Sequence, residues 1–322
     1  MILITGGLGF IGSHTTRALL DLGESCVVVQ RRAPVLPADL ANEAGQRVFA
    51  EQADITDLAA LLAIGERHKI TGVVHLAGSA PWPPGAFEPL EGTRLALGSL
   101  LNVLEAALRW DVPRVGLAST IGVYGGVTSA SPLGEDLPLP VAGGHVIPLF
   151  KKMGELLGAY LAGETPLEVV NYRIAAVWGP GGRAASAFFA APALVHAAAR
   201  GTAPDLSTLP GPVYAGDGLD LCYVRDCGRA IALLQTAGRL SEATYNVASG
   251  RLTTNADVVA AIGQAVPGWR CELPERGPQD GPDPGLYLDI SRLSRDTGYR
   301  PAWDTERAVA DYIGWLRAGH ER

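Results

Sequence analysis

Three glycines near the start of the chain have the spacing of a turn that binds phosphate groups. Gly7, Gly9 and Gly12 form the pattern G-x-G-x-x-G shortly after the uncharged apolar run from Met1 to Ile4. In such a turn one glycine permits a tight bend, a second lets backbone N–H groups approach a pyrophosphate, and a third lets helix and strand pack closely. The alternative is a glycine-rich turn without a ligand, in a chain with 40 glycines. The strand pattern before the glycines and the helical pattern after them favour a dinucleotide site.

Two arginines follow the second apolar run, where the adenosine ribose of such a dinucleotide would lie. An acidic residue at this point would bind the ribose 2′-OH of NAD, but the chain has Gln30, Arg31 and Arg32. Two guanidinium groups can bind a 2′-phosphate, and no carboxylate repels it. The sequence therefore predicts NADPH as the cofactor. A solvated basic turn is the alternative interpretation.

The alternation of strand and helix patterns predicts the scaffold that would hold this turn. The predicted strands are residues 1–4, 25–30, 47–50, 72–76, 114–119 and 167–173, and the helices between them are 13–22, 58–66, 95–108 and 150–161. Such strands pair in parallel with right-handed crossovers, which predicts an α/β fold with a doubly wound parallel sheet of the Rossmann type and a smaller C-terminal lobe. We assign residues 1–178 and 219–248 to an NADP-binding domain, and residues 179–218 and 249–322 to a substrate-binding lobe.

Composition narrows the class of protein and of partner. The 322 residues are 48% apolar and carry a net charge of −7, which argues against nucleic acid or an anionic membrane as the main partner. The longest apolar stretch, residues 184–199, is interrupted by Pro192 and His196 and is too short to span a membrane. The four cysteines form no C-x-x-C pair, so neither a metal site nor a redox motif is expected. We expect a cytoplasmic protein in a reducing compartment.

Several further motifs occur along the chain in the order typical of one protein family. They are Thr5-Gly6-Gly7-Leu8-Gly9-Phe10-Ile11-Gly12, Asp54-Ile55-Thr56-Asp57, His75-Leu76-Ala77-Gly78, Ser119-Thr120-Ile121-Gly122-Val123-Tyr124-Gly125, Arg173 with Trp178-Gly179-Pro180-Gly181, Tyr245-Asn246-Val247 and Gly298-Tyr299-Arg300-Pro301. With these motifs the chain resembles the extended short-chain dehydrogenase/reductases, the family of NAD-dependent nucleotide-sugar epimerases and dehydratases. The resemblance covers nearly the whole chain.

This resemblance implies which residues form the site. The cofactor-binding residues would be Gly6, Gly9, Phe10, Ile11, Gly12, Asp54, Ile55, Leu76, Ala77, Gly78 and Lys151, together with Arg31 and Arg32. The catalytic residues would be Thr120, Ser119 and Lys151, and the substrate would contact Ser119, Thr120, Tyr124 and His145. In the family the lysine holds the nicotinamide ribose, and a hydroxyl group on the fifth strand orients the substrate oxygen.

The tyrosine of the family's Y-x-x-x-K motif, which exchanges a proton with the substrate oxygen, is missing. The lysine is Lys151 or Lys152, and Glu155 favours Lys151 by resemblance. Four residues before Lys151 the chain has Ile147. Two residues earlier, His145 is either a proton donor that works near neutral pH or a surface loop histidine.

A second departure concerns the substrate. Nucleotide-sugar enzymes usually carry an arginine that binds the pyrophosphate, and the matching position here is Leu219. An alkyl chain in place of a bidentate phosphate donor makes a diphosphate substrate less favourable. The apolar segment 184–198, which contains Phe188, Phe189, Leu194 and Val195, would line a pocket for a flat hydrophobic ligand or form an ordinary core helix.

These departures lead to a hypothesis for function. The chain is similar to atypical members of the family that reduce angucyclinone ketones without the tyrosine. We therefore predict an NADPH-dependent ketoreductase acting on a polycyclic aromatic, polyketide-like ketone, in which the substrate's own phenol polarises the carbonyl group. The alternatives are a nucleotide-sugar epimerase or dehydratase, and a non-catalytic NADP(H)-sensing protein. Either a monomer or a homodimer fits the sequence.

Overall fold

The computed structural model of the chain describes residues 1–78, 86–130, 132–141, 145–280 and 285–320. The strands are β1 Ile2–Thr5, β2 Cys26–Gln30, β3 Val48–Gln52, β4 Gly72–His75, β5 Arg114–Thr120, β6 Glu168–Ile174, β7 Ala176–Trp178, β8 Gly218–Leu219, β9 Leu221–Tyr223, β10 Thr244–Val247 and β11 Thr253–Thr254. The α-helices are α1 Phe10–Asp21, α2 Ala38–Ala41, α3 Leu58–Arg67, α4 Pro89–Arg109, α5 Val146–Glu164, α6 Ala191–Arg200, α7 Val224–Thr236, α8 Asn255–Ala265, α9 Ser291–Thr297 and α10 Thr305–Arg317. Two short 3-10 helices span Ile121–Tyr124 and Pro278–Asp280.

Seven strands form one parallel sheet, which confirms the predicted fold class. The strand order is β10-β6-β5-β4-β1-β2-β3, and every pairing within it is parallel. The order reverses direction between β1 and β4, the kind of position where open α/β sheets bind their ligands beyond the carboxyl ends of the strands. The glycine turn therefore lies at this edge, since it follows β1.

Both faces of the sheet are covered at its centre, which explains why β1, β2 and β4 are mainly apolar and buried. In β1, Ile2 and Ile4 belong to the core shared with α1 and α7, while Leu3 belongs to the core shared with α3 and α4. The side chains of Leu3 and Ile4 are fully buried. Alternate residues of one strand thus point to two different cores, as a doubly wound sheet requires.

A third core lies mainly in the C-terminal part of the chain and also includes Trp178, Leu221 and Tyr223. It joins α6, α8 and α10 through fully buried side chains such as Leu194, Ile262 and Tyr312. The apolar segment 184–198 is helical only from Ala191 onward, with Pro192 in the first turn of α6. Proline suits the first turn of a helix, and the preceding residues 184–190, including Phe188 and Phe189, are therefore a loop.

Helix α5 begins four residues earlier than predicted, and this difference positions the site. Its first residue is Val146, and the side chain of His145 caps it by accepting a hydrogen bond from the N–H of Ile147 at 3.2 Å. Ile147 and Lys151 consequently lie one turn apart on the same face of α5.

Among the described residues, no helix is both long and apolar enough to cross a membrane, and no group of three or more metal-ligating side chains forms a metal site. All four cysteines are free thiols, and the thiol of Cys26 is fully buried, as its apolar strand predicts.

Candidate active site

A cavity of about 660 Å³ opens beyond the carboxyl ends of the central strands. Its walls come from the ends of β1, β2, β3 and β4, from one face of α4 and from the start of α5. They are formed by Gly6, Val29, Gln30, Arg31, Ala53, Asp54, Ile55, Thr56, Ala77, Gly78, Phe87, Gly92, Leu95, Ala96, Ser99, Ile147 and Lys151. We call this space the dinucleotide cavity, because its place in the sheet and its shape fit that class of ligand.

The glycine turn leaves no room for side chains. Gly6 has a φ of +70°, and a Cβ atom there would lie 3.1 Å from the backbone nitrogen of Ala77. A Cβ atom on Gly12 would lie 2.1 Å from the carbonyl oxygen of Gly6. Gly6 of this turn lines the cavity, whereas Gly9 and Gly12 lie behind it at the start of α1 and are not part of its wall. With Gly9 as its N-cap and no acidic residue in its first turn, α1 directs its partial positive charge toward this turn, as a pyrophosphate requires.

Phe10 and Ile11 contribute backbone rather than side chains to this turn. Ile11 packs against the core, and the ring of Phe10 lies beside Gly181 and Gly182. Neither side chain lines the dinucleotide cavity. The ring of His14 forms a hydrogen bond of 2.9 Å with the carbonyl oxygen of Pro180, so the segment after β7 is held against the first turns of α1.

The outer end of the cavity carries groups suited to an adenosine. The side-chain nitrogen of Gln30 is buried and has no hydrogen-bond partner among the described residues, so a ligand hydroxyl would satisfy it. Asp54 accepts hydrogen bonds from the backbone and hydroxyl of Thr56, which lower the pKa of the carboxyl group, and Arg31 adds to this effect. Ile55 lines the wall. Arg31 borders the cavity, whereas Arg32 is exposed beside it.

A buried hydrogen-bond pair fixes the segment after β4. Thr5 and His75 share a hydrogen bond of 2.7 Å, and the N–H of Ala77 donates to the Thr5 hydroxyl at 3.3 Å. The N–H of Leu76 donates to the carbonyl oxygen of Thr5. Ala77 and Gly78 therefore stand beside the glycine turn as the motif predicts, while the side chain of Leu76 packs against the core.

Lys151 and Ile147 face the same cavity from α5. The described residues form no salt bridge and no hydrogen bond to the Lys151 ammonium group. Burial lowers the pKa of Lys151 to about 8. In the role that the resemblance implies, the ammonium group would hold the nicotinamide ribose. Ile147 presents only an alkyl chain to the cavity.

The two hydroxyl groups at the end of β5 have different partners. Ser119 donates a hydrogen bond to Glu155, which also forms a salt bridge of 2.7 Å with Arg173. The Thr120 oxygen accepts a hydrogen bond from the N–H of Gly122 at 3.2 Å, which leaves its own O–H as a donor. Thr120 is thus better placed than Ser119 to bind a substrate oxygen. Neither residue lines the dinucleotide cavity itself.

Thr120 and the start of α5 meet at Gly122. A Cβ atom on Gly122 would lie 2.9 Å from the ring of Pro148 and 3.5 Å from the Thr120 oxygen. The structure therefore brings Thr120 close to the turn of α5 that carries Ile147.

Tyr124 lies away from the cavities, in a buried polar network. Its side chain is 1% exposed, and its hydroxyl group donates to Asn246 at 2.8 Å and accepts from Arg173 at 3.0 Å. Burial raises the pKa of the phenol. This placement gives no support to the predicted contact between Tyr124 and the substrate.

A second cavity, of about 410 Å³, lies in the C-terminal lobe and has mainly apolar walls. Its lining residues are Phe188, Phe189, Ala190, Ala191, Leu209, Pro210, Gly211, Pro212, Val213, Asp217, Gly218, Leu219, Leu221, Thr253, Asn255 and Arg276. We call it the lobe cavity. Of the predicted pocket residues, Phe188 and Phe189 line this cavity, while Leu194 and Val195 belong to the lobe core instead. Leu219 is also part of the cavity wall.

His145 lines neither cavity but contacts one lining residue of each, Ile147 and Phe188. Its ring contacts the edge of Phe188, with ring centroids 5.8 Å apart, and Phe188 lines the lobe cavity. Its Nδ1 atom accepts the hydrogen bond that caps α5, so a neutral ring carries its proton on Nε2.

We expect the imidazole of His145 to matter for stability rather than for turnover. His145→Ala removes the cap of α5 and should lower the free energy of unfolding by about 0.5–2 kcal/mol. His145→Asn keeps a capping oxygen and should retain both stability and turnover. Urea unfolding and turnover measured on both variants check this expectation. A large loss of turnover in His145→Asn would instead identify the imidazole as a catalytic group.

Several residues that line the dinucleotide cavity belong to none of the sequence motifs. Gly92, Ala96 and Ser99 are small residues on one face of α4 and leave space for a ligand. Their i, i+4, i+7 spacing is the sequence pattern that could have identified them. For Gln30 only its position at the end of β2 could have done so, because an amide at that point is compatible with several ligands.

Comparisons with known proteins agree with this geometry. The model of the NAD dependent epimerase/dehydratase family matches residues 2–248. UDP-glucose 4-epimerase of Azospirillum brasilense is 27% identical over 98% of this chain and 92% of its own length, and dTDP-glucose 4,6-dehydratase of Actinoplanes sp. is 27% identical over 98% of both chains.

Solved structures show the same fold. UDP-glucose 4-epimerase of Thermus thermophilus, in complex with NAD, is 25% identical over 98% of both chains, with a TM-score of 0.75. UDP-N-acetylglucosamine 4-epimerase of Methanobrevibacter ruminantium reaches a TM-score of 0.80, at 24% identity over 99% of this chain and 98% of that one.

The comparisons identify the family but not the specific activity and cofactor predicted from the sequence. The relatives named above are nucleotide-sugar enzymes, so they give no support to a particular likeness with an angucyclinone ketoreductase. The cofactor in the solved relative is NAD, which leaves the choice between NADPH and NADH open. The match over 2–248, the parallel sheet and the glycine turn lead to one conclusion: this chain belongs to the NAD dependent epimerase/dehydratase family.

Proposed function

We propose that this protein is an NADPH-dependent ketoreductase that works without a catalytic tyrosine. The observation that carries the proposal is the position of Ile147, which faces the dinucleotide cavity one turn before Lys151. A family member that must remove and return protons at a sugar hydroxyl group needs an acid–base residue there. Hydride addition to a ketone whose carbonyl group is already polarised depends less on such an acid–base residue.

Lys151 in the dinucleotide cavity and Thr120 at the neighbouring end of β5 have separate roles in this proposal. Lys151 holds the nicotinamide ribose, and the Thr120 hydroxyl donates to the substrate oxygen. When bound, the dihydronicotinamide supplies a hydride for the carbonyl carbon. A hydroxyl group of the substrate, hydrogen-bonded to the same carbonyl, stabilises the negative charge that develops on the oxygen. The remaining rate enhancement comes from holding the cofactor in the dinucleotide cavity and the ketone in the lobe cavity in the correct relative orientation.

The lining of the lobe cavity favours an apolar substrate. Phe188, Phe189, Pro210, Pro212 and Leu219 all line this cavity. By the family resemblance, Leu219 takes the position of a phosphate-binding arginine. Flat aromatic ligands bind well in such a site, since apolar walls with few polar groups are typical of ligand pockets. We accordingly propose that residues 1–178 and 219–248 bind the cofactor and that residues 179–218 and 249–322 bind the substrate.

A nucleotide-sugar epimerase or dehydratase is the second candidate, and the relatives support this class of activity better than a polyketide ketoreductase. Arg276 also lines the lobe cavity, and its guanidinium group is a donor suited to a phosphate. In the present structure that group forms a salt bridge of 2.7 Å with Asp217 and stacks on Tyr214. A non-catalytic NADP(H) sensor would bind cofactor and turn over neither substrate class.

NADPH rather than NADH is part of the first proposal. Arg31→Ala combined with Arg32→Ala removes two guanidinium groups that would bind the 2′-phosphate. Each such charged contact is worth about 1.5–3 kcal/mol, so affinity for NADPH should fall at least about tenfold. Affinity for NADH should stay within about threefold, because it has no 2′-phosphate. Titration of cofactor fluorescence measures both affinities.

Arg109→Ala is the matched control, because Arg109 is exposed on the far end of α4 and pairs with Glu105. It should change neither affinity. Tighter binding of NADH than NADPH by the unaltered protein would contradict the cofactor proposal.

The ketoreductase proposal is tested with two ketones of one skeleton, 1-tetralone and 8-hydroxy-1-tetralone, incubated with NADPH deuterated at C4. Transfer of deuterium to the alcohol carbon, faster for the hydroxylated ketone, supports the proposal. Absence of transfer to either ketone, together with conversion of UDP-glucose, supports the second candidate.

A further inference from the structure

We propose that the Lys151 ammonium group is itself the proton donor to the reduced carbonyl oxygen, in addition to holding the nicotinamide ribose. This inference rests on the proposed ketoreductase function and names the group that replaces the tyrosine. The substrate hydroxyl then polarises the carbonyl group but supplies no net proton.

The first argument is the position of Lys151. Ile147 and Lys151 lie on the same face of α5 and line the same cavity, and Ile147 carries no group that could transfer a proton. The other ionisable residues of the described cavity wall, Arg31 and Asp54, follow β2 and β3. In the sheet order β5-β4-β1-β2-β3, these strands are separated from β5, on which α5 packs, by at least two others. At roughly 4.8 Å per strand, they lie too far from Lys151 to share its task.

The second argument is that the charges around Lys151 are already paired with other groups. Glu155, one turn further along α5, pairs with Arg173 of β6 at 2.7 Å. Lys152 turns away and donates to the carbonyl oxygen of Pro140. No described carboxylate therefore holds Lys151 in its charged form.

The elements packed against α5 are β5, β6, the 3-10 helix Ile121–Tyr124 and α4, and their carboxylates are either paired or exposed. Glu168 pairs with Arg114, Glu105 pairs with Arg109, and Glu91 is exposed. The other titratable groups on these elements are Tyr124, Tyr172, Arg173 and Arg94, and His75 on β4 is close enough to be affected by the charge of Lys151. Burial, and then the charge of Lys151, lower the pKa of His75 to about 3, so that imidazole is neutral. Tyr124 is engaged by Arg173 and Asn246.

Burial without a compensating partner lowers the pKa of Lys151 to about 8. An amine of this acidity is charged at neutral pH yet gives up its proton far more readily than an ordinary lysine. The position, the surroundings and the acidity of Lys151 are thus all consistent with a role as proton donor.

The step balances without a further reactant. Hydride from the nicotinamide adds to the carbonyl carbon, and the π electron pair of the C=O bond moves onto oxygen. That oxygen takes one proton from the ammonium group, which becomes a neutral amine, and solvent returns the proton afterwards. The net reaction is ketone, NADPH and one proton to alcohol and NADP⁺.

The expected pH dependence follows from the sign of this titration. The charged ammonium is the active form, so turnover is constant below the pKa of Lys151 and falls as pH rises through about 8, by about tenfold for each further pH unit. A lysine with an ordinary pKa would keep turnover constant up to about pH 10.

The variant that separates the two roles of Lys151 is Lys151→Arg. Arginine keeps the positive charge and the hydrogen-bond donors for a ribose, but it does not release its proton. Turnover of 8-hydroxy-1-tetralone should fall about a hundredfold or more, while affinity for NADPH should stay within about threefold. Lys152→Arg is the matched control, and it should leave turnover unchanged.

A second readout does not depend on activity. The chain has only three lysines, Lys69, Lys151 and Lys152. In protein labelled with carbon-13 at the lysine Cε atoms, NMR therefore shows three signals, and the Lys151→Arg and Lys152→Arg variants assign them. The Lys151 signal should titrate near pH 8, well below the range of an ordinary lysine side chain.

The outcomes distinguish the inference from the proposed function. Turnover that survives in Lys151→Arg, or a Lys151 signal that titrates above about pH 10, overturns the inference and leaves the ketoreductase in place. Lack of turnover of any ketone by the unaltered protein overturns both. A hundredfold loss in Lys151→Arg with unchanged cofactor affinity, and a turnover profile that follows the Lys151 titration, supports the inference.

Discussion

Gly12→Ala is expected to abolish dinucleotide binding. The added Cβ atom would lie 2.1 Å from the carbonyl oxygen of Gly6 and 2.8 Å from the Cα atom of Gly7, and both neighbours are backbone. The turn must therefore move, and with it the N–H groups that would bind the pyrophosphate. We expect affinity for NADPH to fall at least about a hundredfold, which corresponds to about 2.7 kcal/mol. Isothermal titration calorimetry measures this loss directly.

Gly314→Ala supplies the control for that experiment. Gly314 lies within α10, and a Cβ atom there would meet no other atom within 4 Å. Alanine is the better helix former by about 1 kcal/mol, so this variant should bind NADPH normally and unfold no more easily than the unaltered protein. Normal NADPH affinity in Gly12→Ala would mean that the glycine turn does not form the phosphate site.

Glu155→Gln is expected to give the largest loss of stability. The Glu155 carboxylate forms a salt bridge of 2.7 Å with Arg173 and accepts the hydrogen bond from Ser119, and both charged side chains are about nine-tenths buried. Burial disfavours the charge of Arg173, but the hydrogen bonds and charge of Glu155 outweigh it and raise the pKa of the guanidinium group. Without its partner the buried cation should cost about 3–5 kcal/mol in the free energy of unfolding.

Urea unfolding of Glu155→Gln and of Glu105→Gln provides the comparison. Glu105 forms an exposed i, i+4 salt bridge with Arg109, so its loss should cost no more than about 0.5 kcal/mol. Equal effects of the two variants would contradict the view that Glu155 and Arg173 form a buried, structurally essential pair at the end of β5.

The glycine turn and the sheet could be predicted from sequence because their signals are local. β1 is a short apolar run, and the constraint on Gly12 arises from contacts with residues only a few positions away. The central strands were found to within a few residues because burial on both faces makes β1 and β2 nearly continuous apolar runs. The start of α5 was misplaced because Pro148 resembles a loop residue, although proline is well tolerated in a first helical turn.

The contacts within the site depend on residues that are distant in sequence. Nothing local to Ser119 indicates that its hydroxyl group donates to Glu155, 36 positions later. Tyr124 is held by Asn246, 122 positions away, so its burial in a polar network could not be inferred from its motif. The lobe cavity similarly joins Phe188 to Arg276 only after the lobe has folded.

One measurement tests the central claim most directly. Purified protein is incubated with NADPH and, in parallel, with hydroxylated polycyclic ketones and with UDP- and dTDP-sugars, while cofactor oxidation and product mass are followed. We predict that a ketone gains two hydrogens as NADPH is consumed, with no change in the nucleotide sugars. A nucleotide sugar that isomerises or loses water, while every ketone remains intact, would contradict the proposal and establish the second candidate.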